Sequence, residues 1–131
     1  MGQPITVKDG ICFAFPDVCL TPAPPSAPVP IPYPNIAQLA DATGTASTVK
    51  AGGKEVVTQE SAISSSSGDE AGSSGGVTSG TTKGECKFTS FSTTVKANGK
   101  GVVRLGDTTT QNKQNAVGTV LGGLPTVLVG G

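Results

Sequence analysis

The hydrophobic positions of this chain recur at intervals of two rather than of three or four. Ile5, Val7, Ile11, Phe13 and Phe15 alternate with polar or small residues, as they do in strands half-buried against a core. This predicts a hairpin over residues 5–15, turning at Asp9-Gly10, and the same logic predicts hairpins at about 47–58 and 93–105, turning at Gly52-Gly53 and Asn98-Gly99. These pairs tolerate the positive φ that hairpin turns require. The three share one unit: Thr6-Val7-Lys8, Thr48-Val49-Lys50 and Thr94-Val95-Lys96. In the last two copies the agreement runs on through the turn, Gly53-Lys54-Glu55-Val56-Val57 against Gly99-Lys100-Gly101-Val102-Val103, whereas the first copy resumes as Ile11-Cys12-Phe13. Three hairpins of one pattern predict a pseudo-threefold body in which the first copy, the divergent one, serves the core or a metal as well.

Between the hairpins the pattern breaks. The run Phe15 to Pro22 is expected to leave the sheet, and Pro22 to Pro34 is so rich in proline that helix and most ladder hydrogen bonds are forbidden. It reads as an extended strap, its apolar strip of Val29, Ile31 and Tyr33 laid along the chain's own domain. Ile36, Leu39 and Ala40 have the spacing of a helical turn over residues 35–41. Residues 61–82 have the composition of a disordered Ser/Gly-rich loop. Within them Gly68-Asp69-Glu70-Ala71-Gly72 offers two carboxylates that either stay solvated or tie the loop back through backbone N–H groups or a cation. Arg104 and Asp107 are placed to pair at a strand exit, and Leu124 to Val129 form an apolar strand that needs a covering neighbour.

Composition narrows the class to all-β. Val (14) outnumbers Leu (6) and Thr is abundant (17), so the apolar content is β-branched. Gly and Pro together equal Val, Ile, Leu and Phe together, 29 residues each, so the core is thin and an extra source of stability is expected. Length predicts one domain over residues 1–131. Nine basic and nine acidic residues cancel, which gives no reason to expect nucleic acid or a stable membrane anchor as partner. No basic leader followed by an apolar run begins the chain, so a cytoplasmic start is expected.

The chemistry on offer is sparse. There is no histidine, which removes the Ser-His-Asp and Cys-His nucleophile systems, and no glycine-rich phosphate loop is present. Asp69 and Glu70, adjacent on an extended chain, face opposite ways and suit no shared acid/base task. No enzyme is expected. Cys12, Cys19 and Cys86 are the remaining candidates, either as thiolate ligands of one structural zinc or as small buried hydrophobes. Cys12, alternating with Ile11 and Phe13, should face away from both.

With these residues laid out, the chain resembles the PAAR-like proteins, spike-tip components of type VI secretion systems and related contractile injection machines. The resemblance rests on Phe15-Pro16-Asp17-Val18-Cys19-Leu20-Thr21-Pro22, on Pro28 to Ala37, on Ser67-Gly68-Asp69-Glu70-Ala71-Gly72, and on Lys96-Ala97-Asn98-Gly99-Lys100 leading to Arg104-Leu105-Gly106-Asp107. It implies a cone of β-hairpins whose base caps a trimeric VgrG-type spike, one tip per trimer, aiding membrane puncture and the loading of effector or adaptor proteins. One chain with three similar hairpins can meet three identical subunits alike. Val7, Lys8, Val49, Lys50, Val95 and Lys96 are then the expected spike-contacting residues. The resemblance places the protein in the bacterial cytoplasm while assembled, and outside or in a target cell after firing. It also implies an apex of the kind that in this family often holds a metal. Better-known members use mainly histidines, so here Cys12, Cys19 and Cys86 are the only soft ligands. A chain of this length leaves no room for a fused toxin, so cargo is expected to bind without fusion. The alternative is a small secreted effector that rides on the spike and acts itself.

Overall fold

The computed structural model describes residues 2–129. They are all-β apart from one 3-10 turn at Leu39–Asp41. The first strands are β1 (Gln3–Ile5), β2 (Ile11–Ala23), β3 (Ser26–Gln38), β4 (Ala42–Thr43), β5 (Ala46–Ala51), β6 (Lys54–Val56) and β7 (Ala62–Ile63). They are followed by β8 (Gly75–Gly76), β9 (Cys86–Phe88), β10 (Lys96–Ala97), β11 (Lys100–Gly101), β12 (Thr108–Gln111), β13 (Ala116–Val120) and β14 (Leu124–Val129).

Three backbone segments close a ring. The Thr6 N–H donates to the Val103 carbonyl (2.9 Å), Val103 to Val57 (2.9 Å) and Val57 to Thr6 (3.0 Å). Two residues out, the pattern repeats: Lys8 donates to Glu55 (3.2 Å), Gln59 to Gly101 (2.8 Å) and Leu105 to Pro4 (2.9 Å). Thr6, Val57 and Val103 therefore occupy equivalent places about a pseudo-threefold axis. Each segment bonds to both neighbours, which leaves no free edge inside the ring.

Each segment is also the outgoing arm of a hairpin, and the three registers match. Lys50 stands opposite Glu55, Lys96 opposite Gly101 and Leu128 opposite Pro4; one step on, Ala51 meets Lys54, Ala97 meets Lys100 and Val129 meets Gln3. The first hairpin is thus made by β1 and β14, from the two extremes of the described chain. The hairpin expected over residues 5–15 does not form, because Thr6 and Lys8 already spend their backbone groups on the ring. At Asp9-Gly10 the chain turns away instead, the Gly10 carbonyl taking the Leu39 N–H at 2.9 Å. The covering neighbour that β14 needs is β1.

From the ring a long arm extends. β2 and β3 pair antiparallel from Ile11 opposite Gln38 to Ala23 opposite Ser26. Thirteen residues at about 3.3 Å each carry the Pro24-Pro25 turn roughly 40 Å from the ring. Two expectations need correction here. Residues 15–22 do not leave the sheet, and the proline-rich segment is a ladder-paired strand rather than an unpaired strap. The prolines fall on alternate positions: Pro30 and Pro32 oppose Leu20 and Val18, whose carbonyls bond on the other side to Ser74 and Val77 (3.0 Å each). The proline nitrogens therefore lie on the open edge, where no donor is needed, while Ile31 and Tyr33 stand opposite Cys19 and Asp17. The side chains of Val29 and Ile31 are exposed rather than packed. Asn35–Gln38, expected as helix, are strand, and only Leu39–Asp41 turn helically.

Strands β3-β2-β13-β12-β9-β7-β4 make one sheet, with β8 added to the far half of β2. The ring divides the core into two layers. Val57 and Val103 face an upper cluster with Cys12, Leu39, Ile63, Cys86, Phe88 and Val120. Ile5, Val7, Val56 and Val102 face a lower one with Ala46, Ala51, Ala97 and Val129.

Candidate functional site

Two regions bear the features that sequence pointed to: the hairpins below the ring and a polar cluster on the long arm.

Below the ring, Val49, Val95 and Val127 occupy equivalent positions on the incoming arms and are 37, 37 and 38 % exposed. Lys50 and Lys96 are exposed beside them, with Leu128 at the third place, 61 % exposed. Val7 is 4 % exposed and Lys8 half-buried, because both lie on an outgoing arm. Val7 is the counterpart of Thr58 and Arg104, and its side chain serves the lower core. The third member of the surface set was missed, although the sequence carries its signal. Thr126-Val127-Leu128-Val129-Gly130-Gly131 matches Thr48-Val49-Lys50-Ala51-Gly52-Gly53 position by position. Residues 130 and 131 lie outside the described residues.

On the arm, Asp17 and Asp69 are both fully buried. Asp17 accepts hydrogen bonds from Asn35 Nδ2 (3.2 Å), Asn112 Nδ2 (3.2 Å) and Asn115 Nδ2. Asp69 accepts from the Lys83 N–H (3.0 Å) and from Asn35 Nδ2 (3.4 Å). The amide orientations are fixed from outside. Asn35 Oδ1 takes Gln111 Nε2 (2.8 Å), Asn112 Oδ1 takes the Gly84 N–H (2.8 Å), and Asn115 Oδ1 takes the Thr78 and Ser79 N–H groups (2.8 and 3.1 Å). The turn presenting Asn112 and Asn115 holds Asn112, Lys113 and Gln114 at φ of 49, 54 and 70°, a left-handed run costing roughly 1–2 kcal/mol per residue. The cluster thus pins the Ser/Gly-rich segment, which is neither disordered nor solvated at Asp69. Glu70 does stay exposed, and hydrogen bonds from its own backbone N–H and from the Gly68 N–H (2.8 Å) hold its carboxyl below the usual range.

The three cysteines do not converge. Cys12 and Cys86 lie together in the upper apolar cluster, and the Cys12 thiol is raised far above its ordinary pKa by its hydrogen bond with Cys86 and by burial. Cys12 does face away from the exposed Phe13 side chain. Cys19 lies seven residues further along β2, on the order of 20 Å. Its Sγ is 3.6 Å from Asp17 and 3.9 Å from Asp69, and burial with these two carboxyls pushes its pKa up to about 12. Asp17, Cys19 and Asp69 place ligand atoms within 4.8 Å of one another. The Asn35, Asn112 and Asn115 amide N–H groups point into this cluster, where a metal would ask for acceptor atoms instead. Asp69 is raised to about 7, by burial and by its hydrogen bond to Asp17.

Packing around the cluster is tight. A Cβ on Gly72 would overlap the Cβ of Cys19 and the ring edge of Tyr33. Gly72→Ala is expected to cost about 1–3 kcal/mol by overpacking, read as a lowered thermal midpoint with faster proteolysis within residues 64–84. Unchanged melting would show that the loop is not clamped there. The Arg104–Asp107 pair is bidentate (Nε–Oδ2 3.0 Å, Nη2–Oδ1 2.8 Å) and mostly buried rather than superficial. Among the described residues no helix is long and apolar enough to cross a membrane.

No solved structure matches the chain. It is 45 % identical over 105 residues to the DNase toxin Tse7 of Pseudomonas aeruginosa, a match that covers 76 % of this chain. The same match covers 27 % of the relative, so the chain spans about a quarter of that protein's length. The model of the Toxin PAAR-like domain matches residues 10–118, and with its ring of three hairpins and its long β arm the chain belongs to that PAAR-like family.

Proposed function

We propose that the chain is the tip that caps the trimeric VgrG-type spike of a type VI secretion or related contractile injection system, sharpening it for membrane puncture and carrying effectors. The observation that supports this reading best is the equal exposure of Val49, Val95 and Val127 at three equivalent positions on the hairpin arms below the ring. A threefold partner offers three identical surfaces, and only a pseudo-threefold chain can meet all three alike. The long β2–β3 arm supplies a point opposite that face, braced by the buried cluster. Co-purification with the trimer should give one copy per three spike chains. A three-to-three ratio, or no complex, overturns the reading.

The similarity to a protein named a DNase toxin favours a second reading, in which such a tip is the delivery module of a toxin whose chemistry lies in other residues. Residues 1–131 incubated with plasmid DNA and Mg²⁺ are then expected to leave it intact, because the sequence has no histidine and the buried carboxyls face inward. Cleavage abolished by Asp69→Asn would instead make this segment itself the effector.

A further inference from the structure

β3 ends the sheet, and the hydrogen-bonding groups on its outer edge can be followed one by one. Along a strand the N–H and C=O of one residue point to the same side, and successive residues alternate. Pro30 and Pro32 face outward, so Pro28, Pro34 and Ile36 do as well. Four of these five positions have no N–H to offer. The fifth, Ile36, donates its N–H to the Ser67 carbonyl (2.7 Å) and accepts the Ser67 N–H in return (2.8 Å). Beside it Gly68 lies against the Pro34 carbonyl, so close that a Cβ there would overlap it. From Pro28 to Ile36 the edge therefore carries no free backbone donor, and the carbonyls of Pro28, Pro30 and Pro32 are what it presents.

The other common guards of a free edge are missing from this strand. β3 runs for 13 residues without a charged side chain, and Val29 and Ile31 are 42 and 38 % exposed on it. A long, uncharged, apolar edge is a template for a further strand. The same edge of a second copy would match it best, antiparallel about a twofold axis, since one row then meets an identical row. We propose that the alternate prolines of β3 keep the arm from pairing with the arm of a second copy of this chain. A ladder between the two edges needs each outward residue to donate as well as accept. Here both copies bring carbonyls alone, and desolvating these against one another costs free energy that no hydrogen bond returns. The strand itself is kept, because the residues between the prolines, Ile31 and Tyr33 among them, pair inward with β2. The arm can thus stand exposed whatever the base docks onto.

Restoring the donors tests this. Pro30→Thr with Pro32→Thr returns two neighbouring N–H groups to the edge on residues suited to a strand, and Pro28→Thr with Pro30→Thr does so nearer the tip. The mass of the whole chain is followed by sedimentation over about 1–100 μM, with thermal melting and amide hydrogen exchange alongside. The parent is expected to stay monomeric. Both double variants are expected to melt within a few degrees of it and to approach twice the monomer mass as concentration rises, with exchange slowing at the substituted positions. A parent that dimerises overturns the inference, as does a folded double variant that stays monomeric throughout. Association that leaves exchange at those positions unchanged puts the contact elsewhere and overturns it equally.

Discussion

Asn35→Ala is expected to destabilise the protein by about 1–3 kcal/mol, the scale for leaving buried hydrogen-bonding groups short of a partner. Asn35 Nδ2 is shared by Asp17 Oδ2, Ser66 Oγ and Asp69 Oδ2, and its Oδ1 receives Gln111 Nε2. The substitution removes a donor from two fully buried carboxyls and strips a buried Gln111 of an acceptor. It also unties three segments at once, since β3, the loop around Asp69 and β12 meet at this one side chain. For a chain of this size the melting temperature should drop by on the order of 10 °C, with early protease cleavage between residues 64 and 84. A loss below about 1 kcal/mol would show that water replaces the asparagine and that the cluster is not what holds the arm.

The second expectation concerns pH. Asp69 is raised to about 7 in the folded protein, chiefly by burial and then by its hydrogen bond to Asp17, whereas an unfolded aspartate titrates near 3.9. The folded state then binds the extra proton. Its stabilisation is complete below about pH 4 and is lost as pH rises through about 7. Among the described residues, the groups facing Asp69 are Asp17, the Cys19 thiol, the Asn35 amide and the Lys83 backbone N–H. Asp69→Asn keeps a donor at that place without a titratable proton, so the difference in melting temperature between parent and variant should move in the variant's favour from pH 4 to pH 8. Parallel curves across that range would mean that Asp69 does not hold the proton.

Much of the base was legible in the sequence, because hairpins are local. Gly52-Gly53 and Asn98-Gly99 mark turns that the structure places as expected, and the β-branched composition matches the absence of α-helix among the described residues. The repeat count was right but one copy was misplaced. A period of two cannot tell an incoming arm from an outgoing one, and Thr6-Val7-Lys8 looks like its relatives while its true counterparts are Val57-Thr58-Gln59 and Val103-Arg104-Leu105. The proline segment was misjudged for a related reason. Proline forbids a central strand, yet alternate prolines on an edge give up only donors that face outward. The buried cluster was least visible, since Asp17, Asn35, Asp69, Asn112 and Asn115 come from four distant stretches and each alone is an ordinary polar residue. Only Gly68-Asp69-Glu70-Ala71-Gly72 hinted at it, and nothing local told the fate of Asp69 from that of Glu70.

The pairing of β1 with β14 governs the order in which the protein can assemble. Local hairpins form in about 1–10 μs, so the second and third can appear as soon as their residues leave the ribosome. The ring segment around Thr6 precedes both but must wait for β14, which follows both, to become a hairpin at all. At about 5–20 residues per second, a growing chain spends seconds with two complete hairpins and one bare strand. Closure is then a single event, later than both local hairpins, between strands far apart in sequence, on the millisecond-to-second scale of high-contact-order folding.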